Sequence, residues 1–263
     1  MKSKIIVVLI IISLLSGFTA CGKQNNNQKD VVDNTDGKET IDETTEIETE
    51  PITEFSVGDI VTFGYCEQDN QIDNGSESIE WIVYDIKDGK ALMMTKLILF
   101  NKSYGDYENE DCESWEDSSI RKWLNTEFYN SSFTEKEKKG IVPTKVSNED
   151  SEETESEDKI FLFSYAEAKE YLANSEYAVT SPTSYLLEND DFDIYDLNEY
   201  GHMEWWTRTP KVFIDDYGYV HDRSAVINKH GIRPALWVDL TALYLSMIGN
   251  ENNNGIIEDD KNN

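Results

Sequence analysis

The chain has 263 residues, with 53 acidic against 23 basic side chains and a formal charge of −30 at neutral pH. That charge repels phosphate backbones and anionic headgroups alike, which excludes nucleic-acid binding and direct adsorption on an anionic membrane. The length leaves room for one ordinary domain with a real core, and no phosphate-binding glycine loop or metalloprotease helix adds a catalytic class.

The opening residues point to a compartment. Lys2 and Lys4 precede an apolar run from Ile5 to Leu15, interrupted at Ser13, and small residues lead up to Cys21. The run is short for a bilayer span and reads as a signal peptide over residues 1–20. Phe18-Thr19-Ala20-Cys21 resembles the bacterial lipobox, with Phe18 where leucine is usual. The resemblance implies cleavage before Cys21, lipid attachment there and a place on the extracytoplasmic face of the cell membrane. The alternative is a secreted protein cut near Ala20. Two acyl chains suffice for stable anchoring. Residues 21–54 hold acids, amides and threonines with few apolar side chains, as expected of a disordered acidic tether, and residues 249–263 read as a disordered tail.

The folded part is expected over residues 55–248. Val57 to Gly64 reads as a turn feeding a strand, and Ile79 to Ile86 is rich in β-branched and aromatic residues. Asp88-Gly89 predicts a type I′ turn returning into a strand from Ala91 to Thr95. Asp117 or Ser118 can cap a helix whose Ile120, Trp123, Leu124 and Phe128 share one face. Thr134-Glu135-Lys136-Glu137 and Ser164-Tyr165-Ala166-Glu167 are capping boxes, the first with Gly140 as a stop. Lys159 to Phe163 reads as a buried strand. The acidic runs 149–158 and 190–196 read as solvated loops, since neither has the register of a calcium loop.

From Glu204 to Leu240 the sequence predicts short strands joined by tight turns at Asp216-Tyr217-Gly218 and His230-Gly231. Arg208 and Arg233 lie inside its most apolar parts. An arginine there keeps its charge, so it pairs with a carboxylate or carbonyls, or else it faces a ligand. Glu116 and Asp117 are the expected ion-pair partners, above all for Arg233. Trp205, Trp206 and Arg208 are the candidate ligand-facing residues.

These blocks, in their order and spacing, resemble an uncharacterised domain family of Gram-positive surface proteins. The resemblance rests on Trp81 to Met94, Trp115 to Asn125 with Phe128-Tyr129-Asn130, and Asp158 to Ser164 with Glu167-Ala168. It continues in Trp205-Trp206-Thr207-Arg208-Thr209-Pro210 and Gly231-Ile232-Arg233-Pro234-Ala235-Leu236-Trp237. The family's usual block ends Arg-Ser-Pro-Gly, where this chain has Lys211. The ending is also similar to that of C-type-lectin-like and formylglycine-generating-enzyme-like domains. That likeness implies a fold and not an activity.

Cys66 and Cys112 lie early and in surroundings unlike the cysteine pair of the formylglycine-generating enzymes, so that activity does not carry over. They form a disulfide or stay as thiols. His202, His221 and His230 show no metal-ligand spacing. The expectation is a single α+β domain, C-type-lectin-like (sulfatase-modifying-factor-like), with antiparallel sheets and several short helices and without metal or cofactor. Its function is expected to be non-catalytic binding of a glycan, cell-wall or protein ligand. An enzyme working through carboxylates is the alternative.

Overall fold

The computed structural model describes residues 54–105, 112, 114–147, 155–173, 175–189 and 197–254. The leader with its lipobox-like end, almost all of the tether, the 190–196 acidic run and the end beyond Asn254 lie outside the described residues.

β1 (Ile60–Cys66) pairs antiparallel with β2 (Glu77–Lys87), and register shifts in both of the β2 pairings bend the strands. Asp88 and Gly89 both take positive φ, 50° and 74°, the geometry a type I′ turn demands, and β3 (Lys90–Thr95) returns from it. β4 (Phe100–Ser103) follows. Ser118 then caps α1 (Ser119–Trp123) by accepting from the Arg121 amide at 3.1 Å. A π-helical segment (Leu124–Phe128) and α2 (Tyr129–Ser132) continue it. Ile120, Leu124 and Phe128 are buried as the periodicity requires, while Trp123 stays half-buried.

Both capping boxes form, and both glutamates reach beyond their own helix. In α3 (Glu135–Lys138), Glu137 closes the box with Thr134 and also accepts from the Gly64 amide at 3.1 Å and the Ser246 hydroxyl at 2.7 Å. Gly140 ends that turn where a Cβ would lie 2.2 Å from the Ala242 side chain. β5 (Ile141–Val142) and β6 (Thr144–Ser147) follow, and β7 (Glu155–Asp158) pairs with β6 in a two-stranded ribbon.

Asp158 departs from the expected solvated loop. Its buried carboxylate accepts from the Trp115 indole at 2.7 Å, the Ser156 hydroxyl at 2.9 Å and the Arg121 Nε at 2.7 Å, so three donors replace its hydration. The expected strand from Lys159 to Phe163 is reduced to one bridge, Phe161 with Ala235, although Ile160 to Phe163 are buried. Apolar content there serves packing rather than a ladder.

α4 (Tyr165–Leu172) and α5 (Ser184–Asn189) precede the short strands β8 (Trp205–Trp206), β9 (Phe213–Ile214), β10 (Val220–His221) and β11 (Lys229–Ile232). β12 (Ala235–Asp239) feeds α6 (Leu240–Asn254). Asp215 to Gly218 is a turn, with the Gly218 amide donating to Asp215 O at 3.0 Å and Gly218 at φ 87°. His230-Gly231 is not. Both lie within β11, and the turn before it is closed by Asn228 N donating to Ala225 O. Gly231 is needed for close packing instead, since a Cβ would meet Ile98 at 2.8 Å and Glu204 O at 2.9 Å.

The strands make two five-stranded sheets, β1-β2-β3-β12-β5 and β10-β9-β8-β11-β4, beside the β6-β7 ribbon. Pairing between these strands is antiparallel apart from the β8–β11 contact of Trp205 with Gly231, and an isolated parallel bridge joins Ile98 to Pro182. The architecture is therefore mixed α+β with curled antiparallel sheets and short helices. No helix among the described residues is long and apolar enough to cross a membrane.

Candidate functional site

Trp205 and Trp206 do not face solvent. Both are fully buried, with indole N–H groups donating to Ala178 O at 3.1 Å and Lys102 O at 3.0 Å. A pair of adjacent strand residues points to opposite faces, and here each face of β8 is covered. Arg208 is buried as well. Its Nη1 lies 3.0 Å from Glu167 and donates to Leu162 O at 2.6 Å, while Nη2 reaches Ser147 O at 3.3 Å. The capping-box glutamate of α4 is thus its counter-ion.

Arg233 has carbonyls where a carboxylate was expected. Nε and Nη2 donate to Thr95 O at 3.1 and 2.9 Å, Nη1 to Tyr177 O at 2.8 Å, and the guanidinium lies 4.9 Å from the Trp205 ring centroid. Complete burial pulls it down from 12.5 to about 10, with Tyr84 acting the other way, so it remains charged at neutral pH. Glu116 and Asp117 serve neither arginine. Both are exposed, the Glu116 carbonyl accepting from Arg121 and the Asp117 carboxylate from Ser114. They sit on the solvent side of the α1 cap, away from both guanidinium groups' partners.

The buried tryptophans instead support a face built from the loops beside them. β8 pairs with β9, and the β9–β10 hairpin carries Tyr217 and Tyr219, 51% and 69% exposed, alongside Tyr200 at 69%. These rings stand on stapled loops. Asp215 accepts from the Tyr217 and Tyr219 amides at 3.0 and 2.7 Å, and its other carboxylate oxygen lies 2.8 Å from His221 Nε2. Asn198 accepts from the Tyr200 and His202 amides and donates to Asp216 O at 2.7 Å, tying the two loops together.

The face is acidic. Tyr217 donates to Glu199 at 2.6 Å, and that bond lowers the Glu199 carboxyl while raising Tyr217 to about 12. Asp216 is raised by partial burial and then by repulsion from Asp215, Glu204 and Glu199.

Behind this face, His230 is buried between two side chains that bear chemistry, Ser224 and Glu204. Its Nε2 is 2.7 Å from Ser224 Oγ, and its Nδ1 abuts the Glu204 carboxylate, which lies off the straight N–H line. Phe213 stacks on it at 4.7 Å and on His221 at 5.2 Å, and Trp206 meets its edge at 4.3 Å. Nothing in the sequence spacing marks Ser224, His230 and Glu204 as a set. They are brought together by the parallel contact of β8 with β11 and by the turn at Ala225–Asn228.

Two other places gather polar groups. A cleft of about 640 Å³ is lined by Tyr65, Phe100, Trp123 and Tyr185 with Glu67 and Glu127 among its polar groups. Glu67, Asp69 and Glu77 bring oxygens within 4.8 Å of one another, but these accept from Gln68, Gln71 and Asn74 and so organise a loop. Cys66 and Cys112 are separate thiols.

Fold and face together define a mixed α+β domain that presents exposed aromatic rings on an acidic surface. Residues 88–240 match the family model described as a domain of unknown function, DUF6273, and the chain belongs to that family. No curated protein and no solved structure matches it.

Proposed function

We propose that this protein is a lipid-anchored extracytoplasmic module that binds a glycan on the face formed by Tyr200, Tyr217 and Tyr219. The observation that carries this reading is the combination of exposed rings with loops already fixed by hydrogen bonds. Rigid aromatic side chains lose little conformational freedom on binding, which favours them as contact groups. Their apolar faces suit the C–H faces of sugars, while Glu199 and Asp216 accept from hydroxyls. The preponderance of carboxylates favours a neutral or amine-bearing glycan over an acidic one.

The lipobox-like Phe18 to Cys21 supports the anchor, and the acidic stretch after it suits a spacer between lipid and domain. Cys21→Ala then leaves an uncut precursor or releases protein to the medium; mature protein that still fractionates with membranes refutes the anchor. We further read the two-sheet domain with its Gly231-Ile232-Arg233-Pro234-Ala235 ending as C-type-lectin-like, a reading a solved structure of any family member tests.

The ligand reading is tested by screening neutral, amino-sugar and acidic glycans and cell-wall fragments. Tyr200→Ala and Tyr219→Ala each weaken binding by about tenfold, the usual size for a central aromatic contact. Trp123→Ala separates the tyrosine face from the cleft: binding lost only in Trp123→Ala moves the site to the cleft, and no binding of any glycan ends the proposal.

A further inference from the structure

Ser224, His230 and Glu204 stand in the order of a nucleophile, a base and a group that orients the base. The Glu204 carboxylate against Nδ1 favours the tautomer with its proton on that nitrogen. Nε2 is then an acceptor, and the only proton the 2.7 Å contact with Ser224 Oγ can use is that of the hydroxyl. His230 is held rigidly for this role by Phe213 stacked on one side and Trp206 against its edge.

Asn228 Nδ2 donates to Ser224 Oγ at 3.2 Å and fixes the hydroxyl oxygen with its proton directed to Nε2. The Ala225 amide, next along the chain, donates to no group among the described residues and is the donor at hand for negative charge on a substrate oxygen. Ser224 is only 8% exposed, but Asp222, Arg223 and Ala225 around it are exposed, so the hydroxyl lies just beneath the surface of a loop.

We propose that Ser224 is an activated nucleophile that takes small acyl groups, acetyl above all, from esters. Ser224 Oγ forms a bond to the ester carbonyl carbon as its proton passes to His230 Nε2. The carbon–alkoxy bond then breaks, and the leaving alkoxide takes the proton from Nε2. Water, deprotonated by the same nitrogen, releases the acid and restores the hydroxyl. The shallow burial of Oγ selects a small acyl group. Glu204 acts through His230 and is a positioning residue. This activity uses residues outside the tyrosine rings and does not depend on glycan binding.

The test uses the full chain with p-nitrophenyl acetate and, separately, a fluorophosphonate probe, followed by peptide mass mapping. Phosphonylation is expected at Ser224, with ester hydrolysis falling about 100-fold in Ser224→Ala and His230→Gln, within the range removal of a general base gives. Glu204→Gln lowers the maximal rate with little change in the Michaelis constant, and it shifts the pH profile of hydrolysis. Tryptophan emission from Trp206 reports whether each variant is folded. Where His230→Gln unfolds, Ser224→Cys substitutes: it retains acylation and becomes sensitive to thiol reagents at that position. A folded wild-type chain without an adduct on Ser224 overturns the proposal. So does an adduct at another residue, or hydrolysis unchanged in folded Ser224→Ala.

Discussion

Replacing Arg233 by methionine removes a fully buried cation that has carbonyl oxygens for company. Four bonds are lost, to Thr95 O twice and to Tyr177 O and Lys96 O at 2.8 and 3.4 Å. At about 2 kcal/mol for each bond from a charged donor, the gross loss is about 8 kcal/mol. Against this stands the cost of burying the charge. Burial lowers Arg233 from 12.5 to about 10, a drop worth about 3 kcal/mol that methionine recovers. Methionine fills similar volume, so little cavity cost is added, and the net loss is about 5 kcal/mol. For a domain of this size that corresponds to a fall in melting temperature of roughly 10–20 °C. Urea unfolding followed by tryptophan fluorescence measures it, with Trp205 beneath the guanidinium as a local reporter. Arg233→Lys falls between, because a compact ammonium lacks the planar fork that spans the Thr95, Lys96 and Tyr177 carbonyls. A loss under about 1 kcal/mol in Arg233→Met refutes the carbonyl cage as a stabilising element.

Asp158→Asn leaves Arg121 without its buried counter-ion and turns one of the two acceptor oxygens, facing Arg121 or Trp115, into a donor; it costs about 3 kcal/mol by urea unfolding, and an unchanged midpoint refutes this. Lys211 sits at φ 65°, where an L side chain is strained, so Lys211→Gly raises stability by about 1 kcal/mol, and a lowered melting temperature refutes it. Burial and then Glu77 and Glu67 push the Cys66 thiol from 9.0 up to about 12. The folded chain therefore holds a proton that the unfolded chain gives up between those values, and this contribution to stability falls as pH rises through that window. Iodoacetamide at pH 8.5 alkylates Cys66 slowly until urea is added; rapid modification of the folded chain contradicts the assignment.

Local signals were the legible part of the fold. The Asp88-Gly89 turn, the Ser118 cap and both capping boxes depend on residues within a few positions of one another, and each forms as expected. What the sequence does not carry is the second use of those groups. Glu137 and Glu167 are readable as caps, yet their links to Gly64, Ser246 and Arg208 span most of the domain. Arg233 shows the same limit. A buried arginine is foreseeable, but whether it meets a carboxylate or carbonyls depends on how β3 and β12 are aligned. The paired tryptophans read as a ligand surface because aromatic content alone does not tell the covered side of a strand from the open one. Lys211 stands where the resemblance led a glycine to be expected, and its φ of 65° lies in the region glycine favours.

The position of β12 has a consequence for how the chain is made. It is the last strand in sequence, yet it lies inside its sheet, between β3 and β5. A chain emerging from its N-terminus therefore exposes the edge of β3, with Leu92, Met93 and Met94, until residues 235–239 arrive to cover it. This sheet cannot be completed until nearly the whole polypeptide has been made, an order of events that favours slow and late folding. Such a chain stays threadable for most of its synthesis, and a stop codon placed just before Ala235 yields an aggregating fragment rather than a smaller domain.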